Sequence, residues 1–165
     1  MMAVFRNYFL FLIFSLLAGG CNANNDADAA PQVEATPLDR LSAYEQALKR
    51  WQDSHITHYQ LTYKNLCFCD SNLTRPIEVV VKNRTAISGR FIDDNKPLTP
   101  SLLKDALTIN QAFQLINRAI ELNAYKLDAR YNKKYGYPES LVVDIDKRLA
   151  DDTQDIEILD FQVLK

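Results

Sequence analysis

The sequence predicts an α+β domain, built as an antiparallel sheet of about six strands with two helices packed on one face. Two stretches carry apolar residues at spacings of three and four, which is the period of an amphipathic helix. Each is followed by three stretches in which apolar and polar residues alternate, as in half-buried strands. Because the order of one helix and three strands occurs twice, we also predict a tandem αβββ duplication.

The first helix is expected at about residues 38–54. Thr36 is suited to the N-cap, Pro37 to the first helical position, and Asp39 places an acid in the first turn. Leu41, Tyr44, Leu48 and Trp51 then form the apolar stripe.

Three strands are expected next, at about residues 59–63, 77–81 and 87–92. Asn83-Arg84 is a turn candidate, and Gly89 predicts a β-bulge in the third strand. Pro97 and Pro100 indicate a loop.

The second half repeats this order. Thr108 and Gln111 have the form of a capping box, which predicts a helix at about 108–122. Strands are expected at about 125–131, 141–145 and 156–164. The segments at which each helix is followed by its first strand, 58–61 (HYQL) and 124–127 (AYKL), have similar sequences, which favours the duplication.

Residues 1–20 have the order of a secretory signal peptide. Arg6 supplies the positive charge, and residues 8–17 (YFLFLIFSLL) are an uncharged apolar run, too short for the roughly 20 residues of a spanning helix. The LAGGC stretch that ends at Cys21 resembles a lipobox. By that resemblance Cys21 would carry the lipid and become the mature N-terminus. The alternative is a secreted protein with an incidental cysteine.

Residues 21–37 then form the lipidated cysteine and a flexible tether, with a reach of roughly 20–24 Å, and residues 38–165 a single domain. Asn22, rather than an aspartate, follows the cysteine. If the host has two membranes, this predicts a lipoprotein of the outer membrane that faces the periplasm.

The composition argues against several classes of function. The net charge is −2 with no basic run, so nucleic-acid binding has no support. The chain has only two histidines and four glycines, which are residue types that most hydrolase and nucleotide-binding motifs require. We therefore expect a non-enzymatic binding or structural module with no cofactor beyond the lipid, and with a protein or small molecule as its partner.

Cys67-Phe68-Cys69 allows three interpretations. We predict a local disulfide, which requires departure from strand geometry because residues i and i+2 lie about 6.6 Å apart in a strand. The alternatives are a thiol-redox site and a copper or zinc site with His55 and His58 as further ligands. For the two histidines, a partly exposed helix–strand junction is the favoured interpretation.

Tyr135-Gly136-Tyr137-Pro138 lies between two predicted strands. Tyr135, Tyr137 and Pro138 are candidates for a binding surface, on which loop tyrosines grip a ligand. The alternative is a stiff hairpin loop whose rings cover the edge of the core.

Acidic residues concentrate near the C-terminus, and hard oxygen ligands suit Ca²⁺. The spacing of an EF-hand loop is missing, and a solvated loop is the alternative. The acids are Asp144, Asp146, Asp151, Asp152 and Asp155.

Cys67-Phe68-Cys69, Tyr135-Gly136-Tyr137-Pro138 and Ala150-Asp151-Asp152, in this order after Trp51, resemble a bacterial family of secreted and lipid-anchored proteins of unknown function. The resemblance covers roughly residues 50–163. It implies a shared fold and an extracytoplasmic setting, and no activity. Asn83-Arg84 departs from the Asp-Gly type of turn that we would expect there.

Overall fold

A computed structural model describes residues 35–66, 74–149 and 153–165. The predicted α+β class, six strands and two longer helices are confirmed, and a short third helix is added. In chain order the elements are α1 (Pro37–Asp53), β1 (His58–Asn65), β2 (Ile77–Lys82), β3 (Thr85–Phe91), α2 (Pro100–Lys104), α3 (Ile109–Glu121), β4 (Lys126–Tyr131), β5 (Pro138–Asp144) and β6 (Gln154–Val163).

Both long helices begin at capping boxes. The Thr36 hydroxyl accepts from the Asp39 N–H at 3.2 Å, and the Asp39 carboxylate accepts from the Thr36 N–H at 3.1 Å. Thr108 and Gln111 make the same reciprocal pair, at 3.2 and 2.7 Å. Each box satisfies N–H groups that have no partner within the helix, so the sequence itself sets where α1 and α3 begin.

One antiparallel sheet contains all six strands, in the order β3-β2-β1-β6-β5-β4. Tyr59, Leu61 and Tyr63 of β1 lie opposite Val81, Val79 and Ile77 of β2, and all six are buried. The alternation of β1 and β2 therefore separates a helix-covered face from a polar face, as predicted.

Two tyrosine hydroxyls join the sheet to the helical layer. The Tyr59 hydroxyl accepts from the Ile109 N–H at 3.0 Å, and the Tyr63 hydroxyl accepts from the Leu107 N–H at 3.0 Å. Burial raises the pKa of Tyr59 to about 12, an effect that the hydrogen bond from Ile109 partly offsets. The Trp51 ring of α1 packs on Tyr59 at 5.5 Å, so α1 and α3 lie on the same face.

Two local predictions were wrong. The loop expected at Pro100 begins helix α2, because Thr99 caps it by accepting from the Leu102 N–H and the proline occupies its first position. Gly89 lies in register opposite Val79, and the extra residue of β3 is Ile87. Gly89 serves packing instead, since a Cβ there would lie 2.7 Å from Cδ1 of Leu98.

The duplication is present in the order of the elements but not in their arrangement. All neighbouring strands are antiparallel, and β1 lies beside β6. The two meanders, β1–β3 and β4–β6, therefore have opposite hands when the sheet is viewed from the helix-covered face. No rotation superposes one meander on the other while both helices stay on that face. The two helix-to-strand segments that are similar in sequence also differ in burial, since Tyr59 is buried and Tyr125 is exposed.

The β2–β3 turn has the backbone of a tight hairpin despite its residues. Asn83 and Arg84 have φ values of 50° and 68°, and Lys82 pairs with Thr85. Positive φ at both central residues is the pattern of a type I′ turn, which fits the twist of the strands. The predicted turn is thus confirmed, and Arg84 occupies a position that favours glycine.

Candidate functional site

The loop between β4 and β5 is held by Asn132. Its Oδ1 accepts from the N–H groups of Lys134 and Tyr135, at 3.0 and 2.8 Å. Its main chain adds bonds from the Gly136 N–H to the Asn132 carbonyl and from the Asn132 N–H to the Tyr137 carbonyl, at 2.9 and 2.8 Å. The loop is therefore a closed turn.

Gly136 places this loop directly on helix α1. It has a φ of 83°, and a Cβ on it would lie 2.2 Å from the carbonyl oxygen of Ala47 and 2.8 Å from Cβ of Arg50. Both the backbone conformation and the close approach exclude a side chain.

Tyr137 and Pro138 are buried parts of the core. The Tyr137 ring stacks on Phe161 at 4.3 Å and meets Trp51 edge-on at 6.5 Å. Tyr137 is 9% exposed, and Pro138 is fully buried. The structure thus matches the alternative interpretation, in which the loop covers the edge of the core, while Tyr135 stays partly exposed.

Beside this loop the sheet divides. Glu139 in β5 and Leu159 in β6 are extra residues with no residue opposite them in register. β5 and β6 pair only between Ser140–Val143 and Gln154–Glu157. Within the described residues, β6 pairs beyond this point with β1 alone.

The gap forms a cavity of about 340 Å³, which we call the β5–β6 cleft. It contains three carboxylates, one guanidinium, one tyrosine and three apolar side chains. The lining residues are Arg130, Tyr137, Glu139, Glu157, Ile158, Leu159, Asp160 and Phe161.

Two of the three carboxylates in the cleft have partners. Glu139 accepts from Nδ2 of Asn132 at 2.9 Å, and Glu157 pairs with Lys64 at 2.9 Å. Asp160 makes no hydrogen bond or ion pair with any residue that the structure describes. It is therefore the acid best placed to meet a cation from outside.

The Tyr137 hydroxyl is a poor base. Burial raises its pKa above the usual value, and the negative charges of Glu139 and Asp160 raise it further. The hydroxyl therefore stays protonated at neutral pH and is able to donate a hydrogen bond. Nε of Arg130 donates to the Ser140 hydroxyl at 2.8 Å, so the guanidinium is held in place as well.

A second concavity of about 540 Å³ lies between α1 and α3, against Tyr44, Phe113 and Arg118. It is a shallow surface between helix side chains. The β5–β6 cleft is the stronger candidate because a break in the sheet creates it and charged groups converge there.

The two histidines lie at the junction of α1 and β1. His55 is exposed and has a φ of 52°, and His58 begins β1. Cys67 and Cys69 lie outside the described residues, so the copper or zinc interpretation with these histidines stays a prediction.

Asp146 is engaged by Arg148. The guanidinium contacts its carboxylate at 2.5 Å, and the hydrogen bonds from Arg148 lower the pKa of Asp146. In the part of the chain that the structure describes, no group of three or more His, Cys, Asp or Glu side chains is able to hold a metal ion. Asp151 and Asp152 lie outside this part, and the Ca²⁺ interpretation stays a prediction.

Cys21, Cys67 and Cys69 also lie outside the described residues. Leu66, the last described residue before the pair, donates its N–H to the Asp155 carbonyl at 2.7 Å. It lies at the end of the sheet opposite to the end where Pro138 begins β5, because β1 and β5 run in the same direction.

A family model of unknown function, DUF6174, matches residues 43–163. The chain belongs to the DUF6174 family. The matched residues contain the whole sheet, helix α3 and the β5–β6 cleft, and the match confirms the resemblance to a family of unknown function. Comparisons with curated proteins and with solved structures gave no match.

The sequence did not point to four residues that build the β5–β6 cleft. Asn132 is a turn-forming residue type just before the tyrosines, and that signal was available. Glu139, Asp160 and Phe161 had no such signal in the sequence. They come together only because bulges in β5 and β6 open the sheet at this point.

Proposed function

We propose that this protein is a lipid-anchored extracytoplasmic lipoprotein whose domain is a non-enzymatic binding module. The anchor is supported by the signal-like order of residues 1–20 and by LAGGC at Cys21. Within residues 35–66, 74–149 and 153–165, no helix is both long and apolar enough to cross a membrane. Under this proposal the lipid inserts into the membrane and the domain lies on its extracytoplasmic side; if the host has two membranes, this is the outer membrane and the domain lies in the periplasm.

The β5–β6 cleft is the observation that carries the binding role. It contains Asp160 without a described partner and a Tyr137 hydroxyl that stays protonated. Such a pair orients a ligand by charge and by hydrogen bonding. A raised tyrosine pKa argues for recognition and against base catalysis, since a catalytic base works best when its pKa is near the ambient pH.

The ligand we propose is a positively charged segment of a partner protein. The cleft has three carboxylates and one guanidinium, and even with Glu157 paired to Lys64 one negative charge is left over, so its charge favours a cation. Beyond Glu157 one edge of β6 has no strand beside it among the described residues. An exposed edge of this kind is suited to pairing with an extended peptide, whose basic side chain would reach Asp160.

The anchor is tested by labelling with an alkyne analogue of palmitate. We expect the full chain to be labelled and to fractionate with membranes, and Cys21→Ala to lose both properties. Cys67→Ser is the matched control and should keep them. Equal labelling of the full chain and of Cys21→Ala would contradict the anchor.

The cleft is tested by amide chemical shifts of the soluble segment 22–165. A short lysine peptide should shift the amides of Leu159, Asp160 and Phe161, and a short glutamate peptide should not. Asp160→Asn should weaken binding about two- to fivefold, as for one partly exposed charge pair. Asp128→Asn, which removes an exposed carboxylate from β4, is the control. Shifts spread over all surface acids, or an equal loss in both variants, would refute this site.

A further inference from the structure

The corner of the domain at which the chain enters has the composition of a membrane-contacting surface. Ala35, the first described residue, lines a cavity of about 240 Å³ together with Arg40, Leu127 and Asp128. The first turn of α1 therefore lies against the beginning of β4. The tether from Cys21 therefore joins the described domain at this corner.

Four large apolar side chains are exposed on chain segments that border this corner. Leu38 lies in the first turn of α1, Tyr125 immediately precedes β4, and Leu122 is three residues before Tyr125. Leu149 belongs to the loop between β5 and β6, two residues after Lys147, whose Nζ lies 5.4 Å from the centre of the Tyr125 ring. The exposed fractions run from 52% at Leu122 to 74% at Leu38.

Two amines accompany these apolar residues. Lys126 and Lys147 are exposed and form no ion pair with any described residue. Lysine side chains bury their stems along apolar surface and keep the ammonium in water, and tyrosine is favoured at the membrane–water boundary. The corner therefore fits the interface of a bilayer better than open solvent.

We propose that this corner, formed by Leu38, Leu122, Tyr125 and Leu149, rests on the lipid surface to which the protein is anchored. The inference depends on the lipid anchor proposed above. Residues 22–34 lie between Cys21 and the corner, and even a fully extended chain of this length spans only about 45 Å. The contact is thus intramolecular, and a weak apolar surface suffices to orient the domain.

Apolar contact, rather than charge, should dominate the docking. Asp128 lines the cavity at this corner and opposes the attraction of Lys126 and Lys147 for anionic headgroups. Apolar insertion is insensitive to screening, whereas attraction between exposed charges weakens with salt. We therefore expect docking to persist at high ionic strength.

The test places tryptophan at the corner and measures quenching by lipids with brominated acyl chains. The lipidated full chain is reconstituted into vesicles of phosphatidylethanolamine and phosphatidylglycerol. Tyr125→Trp and Leu149→Trp are the reporters. Ile87→Trp, on edge strand β3 and 51% exposed, is the matched control, and the buried Trp51 of the unsubstituted chain gives the background.

We expect roughly a twofold loss of emission at both reporters, because interfacial side chains reach about 5–10 Å into the boundary, and none at Ile87→Trp. Protein that fails to float with the vesicles would refute the anchor itself. Protein that floats without quenching, or with equal quenching at all three positions, would leave the anchor intact and overturn the orientation proposed here.

Discussion

Gly136→Ala is the substitution for which the structure makes the sharpest stability prediction. The new Cβ would lie 2.2 Å from the carbonyl oxygen of Ala47, inside helix α1, where a backbone atom cannot move aside. The φ of 83° adds the cost of left-handed backbone, about 1–2 kcal/mol, and overpacking adds about 1–3 kcal/mol. We expect the free energy of unfolding to fall by roughly 2–5 kcal/mol.

The assay is urea unfolding of the soluble segment 22–165, followed by the fluorescence of Trp51, the single tryptophan. This ring contacts Tyr137 of the same loop, so it reports on the docked state. Gly89→Ala is the control, because its nearest contact is the movable end of Leu98 and its φ is not positive. A loss at Gly136→Ala below about 1 kcal/mol, or equal to that of Gly89→Ala, would refute the argument.

Four further outcomes are expected. The free energy of unfolding should fall as pH rises from about 10 to 12, because a tyrosine in the unfolded chain ionises near pH 10 whereas buried Tyr59 has a pKa of about 12. Urea midpoints measured across that pH range should show the fall, and Tyr59→Phe should make it smaller. Arg84→Gly should raise the free energy of unfolding by up to about 1 kcal/mol, since Arg84 has a φ of 68°, and the urea midpoint should rise with it; a lower midpoint would contradict the turn assignment. Tyr137→Ala should lower the free energy of unfolding by about 3–5 kcal/mol, and Tyr137→Phe should lower it far less, because the phenylalanine keeps the ring that stacks on Phe161. Equal losses would show that packing of the ring is not the source of the stability. Cys67 and Cys69 should resist alkylation until reduced, as intact mass would reveal; free alkylation, or metal at one per chain, would favour metal handling instead.

Local signals predicted the elements well because each has a short-range cause. The capping boxes at Thr36 and Thr108 set the starts of α1 and α3 by hydrogen bonds within four residues. The alternation in β1 and β2 follows from one face being buried. Helix α2 was missed because prolines indicate a loop and a helix start equally, and only the cap at Thr99 decides between them.

The candidate site was predicted only in part, for a physical reason. The tyrosine–glycine–tyrosine–proline loop is visible in the sequence, yet the same residues suit a binding surface and a core edge. Burial of Tyr137 against Trp51 and Phe161 decided for the core edge. Asp160 and Glu139 enter the cleft through bulges, and a bulge depends on the pairing of distant strands.

The sequence by itself determined the periodic elements, the capped helix starts and the expectation of a signal and lipidated cysteine, since all of these depend on neighbours in the chain. Only the tertiary structure decided the order of the strands, with β1 beside β6, and the opposite hands of the two meanders. It also decided that the loop of Gly136 closes on α1 and leaves a charged cleft behind it. Such contacts join residues far apart in the chain, and they are selected by packing and hydrogen bonding of the whole domain rather than by local preference.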